Sequence, residues 1–529
     1  MKNGEVAQGP IPKREHRGPV GLSYAQGRLW FMEQLVRGSS WYVMPFAARL
    51  LGPLKLDALD AALRALEQRH ETLRTTFEET DGVGVQIVHT RFFEGLRIID
   101  VAAEKDGSYV QPLQREQETP FNLASEAGVR VCLLRLGQDD HILSFVLHHI
   151  ISDGWSIDVL RKELGQFYAA ALRGEDPLLR VNPLPIQYRD FAVWQKQEDQ
   201  LAEQQKQLEY WMKQLEGSSP AELFTDRTRP EVLSGEASAV PFTIDVELYE
   251  SLRAFCKTHK VTTFVVLLAA FRATHYRLTG AEDACIGTPI ANRNRPELKN
   301  LVGFFVNTQC MRITVEDDTF EGLVQQVHMT KLAAIANQDV PFERIVSALL
   351  PGSRDTSRNP LVQIMLVVHS QMDIGRIQLE GLKDKLVPRV ATTRFDVEFH
   401  FVKRSDSLSG TLLFSTQLFD AESIHGLLAV FHETLRRGLE DPHTPIATMQ
   451  LTDGLGELRT KGHLQIDRTE YPRESSVVDI FREQVAAFPD AIAVKDSSSQ
   501  LTSGAFPQSR SLPSCRRDAA RRLQPSSVS

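Results

Sequence analysis

The sequence predicts a mixed α/β fold (α+β) arranged as two lobes. Helical and strand-like patterns alternate along the chain, and they do so in two successive runs. A polar, turn-rich stretch from Gly217 to Gly235 separates the runs and marks the main boundary. Alternation of this kind stacks helices on sheets. At roughly 150 residues per folding unit, a chain of 529 residues has room for about three, and 42% hydrophobic residues fill sizeable cores.

Residues 1–18 carry Gly9, Pro10, Pro12 and Gly18 among charges and read as a linker. Periodic structure begins near Leu22. From Asp57 the apolar residues recur at helical spacing, predicting a helix through about His70. Short strands are expected at Val85–Val88 and Leu96–Ile99. The run HILSFVLH (141–148) is rich in β-branched and aromatic residues and reads as a buried strand. After a turn at Asp153 and Gly154, the residues Leu160, Leu164, Phe167, Tyr168, Ala171 and Leu172 share one helical face, with Ser156 as its expected N-cap. Gly174, Pro177, Pro183 and Pro185 mark a surface crossing, and a charged, Gln-rich helix is expected from Tyr188 to Leu215. In the second run, helices are expected at 246–259, 262–279, 319–336 and 421–439. Strands are expected at 284–290, 361–368, 395–402 and 409–416.

The net charge is −8, which argues against nucleic acid as a partner, because phosphate binding needs a basic face. The five cysteines, Cys132, Cys256, Cys285, Cys310 and Cys515, are widely spaced, with no C-x-x-C or zinc-ribbon pattern. They predict reduced thiols in a cytoplasmic protein and no metal site. The polar N-terminus is not expected to be a signal peptide. The longest apolar stretch, Val261–Phe271, is about eleven residues against the roughly 20 that a membrane span requires, so it is expected to be a buried helix.

The sharpest local feature is HHIISDGWS (148–156). It places a strand end with two histidines before a turn and a helix start. Neighbouring residues on a strand point to opposite faces, so only one of the two imidazoles can face a given cleft. Histidine titrates near neutral pH and suits proton transfer. Taken alone, the pattern reads first as a core histidine with a satisfied hydrogen bond.

The context favours chemistry. LSYAQGRLWF (22–31), RHETLRTTF (69–77), HHIISDGWS (148–156), YRDFAVWQ (188–195), IGTPIANR (286–293) continuing to VGFFVNT (302–308), NQDVPFE (337–343) and RNPL (358–361) follow one another in order. Together they resemble the seven motifs of condensation domains of non-ribosomal peptide synthetases. Asn337 stands where the family often has histidine. The resemblance covers about residues 18–455.

The resemblance implies two chloramphenicol-acetyltransferase-like lobes in a V-shaped pseudo-dimer, at 19–216 and 217–455, with a tunnel between them. It implies amide bond formation by an acyltransferase reaction. An aminoacyl amine on a downstream carrier domain would attack a donor thioester on an upstream one, each held on a phosphopantetheine arm. No cofactor is expected on the chain itself, and a monomer is expected, without membrane or nucleic acid. His149 would sit at the centre, with His148, Asp153 and Gly154 completing the catalytic motif. The Gly154 backbone is a candidate oxyanion donor, and His148 a packing residue. Asp153 is expected to pair with an arginine of the second motif, Arg69 or, failing that, Arg74. Trp155, Ser156, Asn292 and Arg293 are expected in support, with Asn292 and Arg293 near the lobe interface, and Arg28 and Trp194 in the scaffold.

After a linker at 456–474, residues 475–506 resemble the opening helix and strand of an adenylation domain. The Ser/Arg-rich stretch 507–529 has too few apolar residues to fold and reads as a disordered tail or out-of-frame sequence. Two other readings compete: a free-standing acyltransferase of the same superfamily, and a truncated remnant that docks carriers without catalysis.

Overall fold

The computed structural model describes residues 9–13, 18–35, 42–101, 107–316, 318–351, 355, 357–369, 376–387, 391–404, 406–451, 483–495 and 500–502. Residues 1–452 form one unit and 453–529 a second. The expected linker at 456–474 and the tail at 507–529 lie outside the described residues.

In the first half of the first unit the elements are β1 (Val20–Gly21), α1 (Tyr24–Leu35), β2 (Val43–Leu51), α2 (Leu56–Arg69), β3 (Thr75–Thr80), β4 (Val83–Val88), β5 (Arg97–Asp100), α3 (Val110–Glu118), β6 (Val129–Gly137), β7 (Asp140–His148), α4 (Gly154–Leu172), α5 (Tyr188–Trp194) and α6 (Glu198–Leu215). The second half adds β8 (Ala237–Ile244), α7 (Val246–His259), α8 (Thr263–Thr279), β9 (Asp283–Ile290), β10 (Asn307–Thr314), α9 (Phe320–Ala336), α10 (Phe342–Leu349), β11 (Ile364–His369), β12 (Lys383–Leu386), β13 (Val397–Lys403), β14 (Leu408–Ser415) and α11 (Ala421–Glu440). The described part of the second unit is a helical turn at 483–487 and the antiparallel pair β15 (Ile492–Lys495) and β16 (Gln500–Thr502).

Two large sheets carry the first unit: β12-β2-β7-β6-β5 and β10-β9-β11-β13-β14-β8. β7 lies between β2 and β6, and it is buried almost throughout, which explains its nearly unbroken apolar sequence. On one face, Leu143, Phe145 and Leu147 pack with Leu59, Leu63 and Leu66 of α2 and with Leu160, Leu164 and Phe167 of α4. Cys132, Leu134 and Ile142 meet Leu113 of α3 in a separate cluster. In the second half, the middle of α8 is apolar on every side because it is covered on every side, with Val265–Ala270 fully buried. The stretch Val261–Phe271 is thus core, and no single helix among the described residues is long and apolar enough to cross a membrane.

Two local expectations are corrected. The stretch from Tyr188 to Leu215 is two helices, not one. The chain turns extended at Gln197, and the Gln195 side chain is committed elsewhere, accepting from the Tyr24 backbone N–H. The N-cap of α4 is Asp153, whose carboxylate accepts from the Ser156 backbone N–H at 2.7 Å; Ser156 sits inside the first turn. The helix α2 ends at Arg69 with His70 as its C-cap, as expected.

The stretch 376–387, although late in sequence, packs on the first lobe. Ile377 and Leu379 are buried in its core, and β12 pairs antiparallel with β2 (Lys383 with Leu51, Leu386 with Ala48). The crossing runs so close to α4 that a Cβ on Gly165 would lie 2.6 Å from the Gln378 carbonyl oxygen.

Candidate active site

β7 delivers His148 and His149 to the end of the first sheet. The His148 N–H donates to the Gly128 carbonyl and the His149 N–H to the Tyr42 carbonyl, each at 2.7 Å. One 3-10 turn (149–151) then redirects the chain into α4.

The two imidazoles have different surroundings. His148 is buried, and its Nδ1 accepts from the Ile150 N–H at 3.1 Å. The ring proton therefore sits on Nε2, 3.7 Å from Glu33. Burial holds its pKa below the ordinary value, so it packs as a neutral ring. His149 is half-buried, and its Nδ1–H donates to the Ser152 carbonyl at 2.9 Å. That bond fixes the tautomer and leaves the Nε2 lone pair without a protein donor among the described residues. The Phe304 ring lies 4.9 Å away. Burial, and after it the charge of Arg394, hold His149 down to about 3, so the ring is a neutral hydrogen-bond acceptor at physiological pH.

Asp153 is fully buried and saturated with donors. Oδ1 accepts from the Ser156 N–H at 2.7 Å and lies 2.8 Å from the Ser156 hydroxyl; Oδ2 accepts from the Phe305 N–H at 3.0 Å. Its cation is Arg293, whose Nη2 lies 3.1 Å from Oδ1. Arg293 Nη1 donates to the carbonyls of Leu298 and Leu301, both at 2.6 Å, and the guanidinium stacks 4.2 Å from the Phe305 ring.

The expected partnership of Asp153 with Arg69 or Arg74 is therefore overturned. Arg69 closes α2 beside Glu163, and its Nε donates to that carboxylate at 3.0 and 3.1 Å. Glu163 lies ten residues beyond Asp153 on α4, about 15 Å along the helix, so Arg69 cannot serve both. The His70 Nε2–H also donates to Glu163, at 2.7 Å. Arg74 donates to the backbone carbonyls of Glu67 and His89.

The remaining motif residues brace this turn. Gln26 Nε2 donates to the Ile150 carbonyl at 3.3 Å, and Arg28 pairs with Glu343 at 3.4 Å, joining the first motif to the sixth. Trp155 Nε1 donates to the Lys299 carbonyl at 2.8 Å. Asn292 turns the chain ahead of Arg293 with a left-handed φ of 50°, a conformation asparagine tolerates. Trp194 stacks under the Arg295 guanidinium, 4.6 Å from its ring centroid. Gly303 passes against Tyr188, whose hydroxyl donates to the Phe304 carbonyl at 2.6 Å. Gly154 opens α4 directly after Asp153. Three residues near His149 carried no assignment from sequence: Phe304, inside the fifth motif; Tyr42; and Arg394, whose guanidinium lies 4.9 Å over the Tyr42 ring.

The condensation-domain family model matches residues 16–456. The non-ribosomal peptide synthetase kk1B of Curvularia clavata is 62% identical over 503 residues, covering 95% of this chain and 4% of that one. The PF 1022-synthetase of a Rosellinia species is 61% identical over 493 residues, covering 93% and 15%. The enniatin synthetase of Fusarium oxysporum is 60% identical over 494 residues, covering 93% and 16%. The chain thus spans 4–16% of the length of these curated relatives. Among solved structures, the X-domain from teicoplanin biosynthesis in complex with OxyB superposes with a TM-score of 0.76 at 26% identity, covering 85% of this chain and 99% of that one. The first condensation domain of the calcium-dependent antibiotic synthetase, bound to a substrate analogue, superposes at 0.68 and 19% identity, covering 82% and 99%, and speaks for the fold alone. Seven ordered motifs, a histidine turn locked between two lobes, and these likenesses agree: the chain belongs to the condensation domain family of non-ribosomal peptide synthetases.

Proposed function

We propose that this chain joins a carrier-bound donor acyl or peptidyl thioester to a carrier-bound acceptor amine, forming an amide. The observation that carries the reading is His149, a neutral imidazole with its tautomer fixed by the Ser152 carbonyl and its Nε2 lone pair unspent. The acceptor's α-ammonium has an ordinary pKa of about 7.7–8.0, so part of it is already neutral at pH 7. His149 accepts the remaining proton from the amine as the C–N bond forms, and gives it to the leaving thiolate. Proton transfer of this kind contributes about 10²–10⁴-fold, and orientation of the two arms adds to it. Asp153, Arg293 and Ser156 hold the turn and do not touch substrate. The donor comes from an upstream carrier and the acceptor from a downstream one, both on phosphopantetheine, and residues 475–506 open an adenylation domain.

One observation favours a second nucleophile. A relative from Beauveria bassiana that is 60% identical over 495 residues is a bassianolide cyclodepsipeptide synthetase, and depsipeptides contain esters. A hydroxyl acceptor places a heavier demand on His149 as base, since it arrives fully protonated.

The test is a condensation assay with purified chain and loaded donor and acceptor carriers, offering amino and hydroxy acceptors in parallel, beside His149→Ala. A dipeptidyl or depsipeptidyl thioester that disappears in the variant supports the reading. Absence of product for every substrate pair, with folded protein and bound carriers, refutes it and favours a docking module.

A further inference from the structure

The second lobe presents a cation to the histidine turn. Arg394 lies in the stretch leading into β13, and its guanidinium sits 4.9 Å over the ring of Tyr42. Tyr42 is the residue whose carbonyl accepts the His149 N–H at 2.7 Å. The Tyr42 ring also lies 6.3 Å from that of His148, and the charge of Arg394 lowers the pKa of both His148 and His149.

The carboxylate nearest in sequence, Asp396, is paired with Arg229, and Glu398, whose pKa the charge of Arg394 helps to lower, makes no ion pair with it. One Glu398 oxygen accepts from the Thr393 hydroxyl, and the other lies 3.1 Å from His400 Nε2. His400 Nδ1 in turn lies 3.1 Å from His369 Nε2, so the carboxylate is tied into a chain along β11 and β13. Among the described residues Arg394 makes no ion pair, and its guanidinium donates no hydrogen bond to a protein group. The half-buried guanidinium keeps its N–H donors available to a ligand. Acyl transfer develops negative charge on oxygen close to its base, and Tyr42 ties this cation to the histidine turn that carries that base.

We propose that Arg394 binds the donor thioester's carbonyl oxygen and stabilises the oxyanion formed there. The inference rests on the acyl-transfer reading above. The acceptor's lone pair forms the new bond to the carbonyl carbon, and the C=O π pair moves to oxygen, where the guanidinium N–H groups hold it. Collapse re-forms C=O and breaks C–S. The proton lost by the acceptor passes through His149 Nε2 to the sulfur, releasing the free thiol of the phosphopantetheine arm and leaving His149 neutral.

The experiment compares wild type, Arg394→Ala and Arg394→Lys with loaded carriers, with and without methylguanidinium ion. Arg394→Ala is expected to lower kcat on the order of 10²-fold or more, with KM and thermal melting little changed. The lysine variant recovers part of the loss, since it keeps the charge but not the fork. Methylguanidinium restores part of the activity to Arg394→Ala and none to His149→Ala. Should the alanine variant melt early, Arg394→Gln, which retains packing on Tyr42, is compared with Arg394→Lys. A kcat unchanged in the alanine or glutamine variant, a loss confined to KM, or a loss relieved by neither lysine nor methylguanidinium overturns the assignment. Wild-type protein that forms no product overturns the acyl-transfer reading first, and this assignment with it.

Discussion

The carboxylate of Asp153 and the guanidinium of Arg293, 140 residues apart in sequence, meet at 3.1 Å with almost no exposure of either side chain. The pair fastens the start of α4 to the loop that carries Phe304 toward His149. Removing one member of a buried pair strands the other, at a cost of about 3–5 kcal/mol. Asp153→Ala and Arg293→Ala are each expected to lower stability in denaturant melts by that order, and activity with it. The double variant should cost clearly less than the two singles summed. Arg69→Ala should instead couple to Glu163→Ala and add simply to Asp153→Ala.

His149→Ala should behave differently. Its ring bonds only the Ser152 carbonyl among the described residues, so melting should change little while turnover falls by about 10²–10⁴-fold. His148→Ala should show the opposite pattern in melting, because it leaves the buried Ile150 N–H without its acceptor.

Acid should act on stability and turnover at different points. His149, held at about 3, and His275, held at about 4, remain neutral in the folded chain while the unfolded chain titrates them near 6.5. His275 is held neutral by burial and by Arg272, and its Nε2 lies 2.9 Å from the Glu222 carbonyl. The unfolded state therefore binds more protons below pH 6.5. The contribution of these groups to stability is full above about 6.5 and declines as pH falls from there toward 4. Denaturant melts between pH 8 and 5 check the slope. The acid limb of kcat/KM should instead follow the acceptor's ammonium, near 7.7–8.0. With a hydroxy acceptor that limb should vanish. A limb that stays near 6.5 for both acceptors would show His149 titrating at its ordinary value.

Gly303→Ala should damage the site from the second lobe. A Cβ there would overlap a ring carbon of Tyr188. Moving the ring breaks the Tyr188 bonds to the Phe304 carbonyl and Ser23. A loss of about 1–3 kcal/mol is expected, with reduced turnover, read by melts and the condensation assay on one preparation.

Sequence patterning served best where the chain is locally consistent. β7 is apolar because both its faces are covered, and the Asp153–Gly154 turn follows it directly, so strand, histidine turn and helix were legible together. β2 and β8 were not, since Pro45 and Pro241 interrupt their runs. Both prolines sit where one side needs no ladder bond: β12 covers only Ala48–Leu51 of β2, and β8 is the edge of its sheet. β12 itself, Lys-Asp-Lys-Leu, has no apolar pattern at all. The Asp153–Arg293 pair escaped for a different reason. Spacing along a helix or strand says nothing about which distant loop returns to a cap, and the resemblance points to the second motif, to Arg69 ahead of Arg74. Arg394 sits in no motif, and only the meeting of the two lobes sets it beside Tyr42.

The strand that crosses from the second half into the first sheet has a bearing on chimeras. A hybrid spliced at 216/217 would oppose β2 of one parent with β12 of the other, and would set a foreign Gln378 carbonyl against Gly165. Splitting the chain there would expose the Ala48–Leu51 edge of β2, a template for unwanted pairing between molecules. Grafts that carry 376–387 together with the first-half sheet keep that seam native.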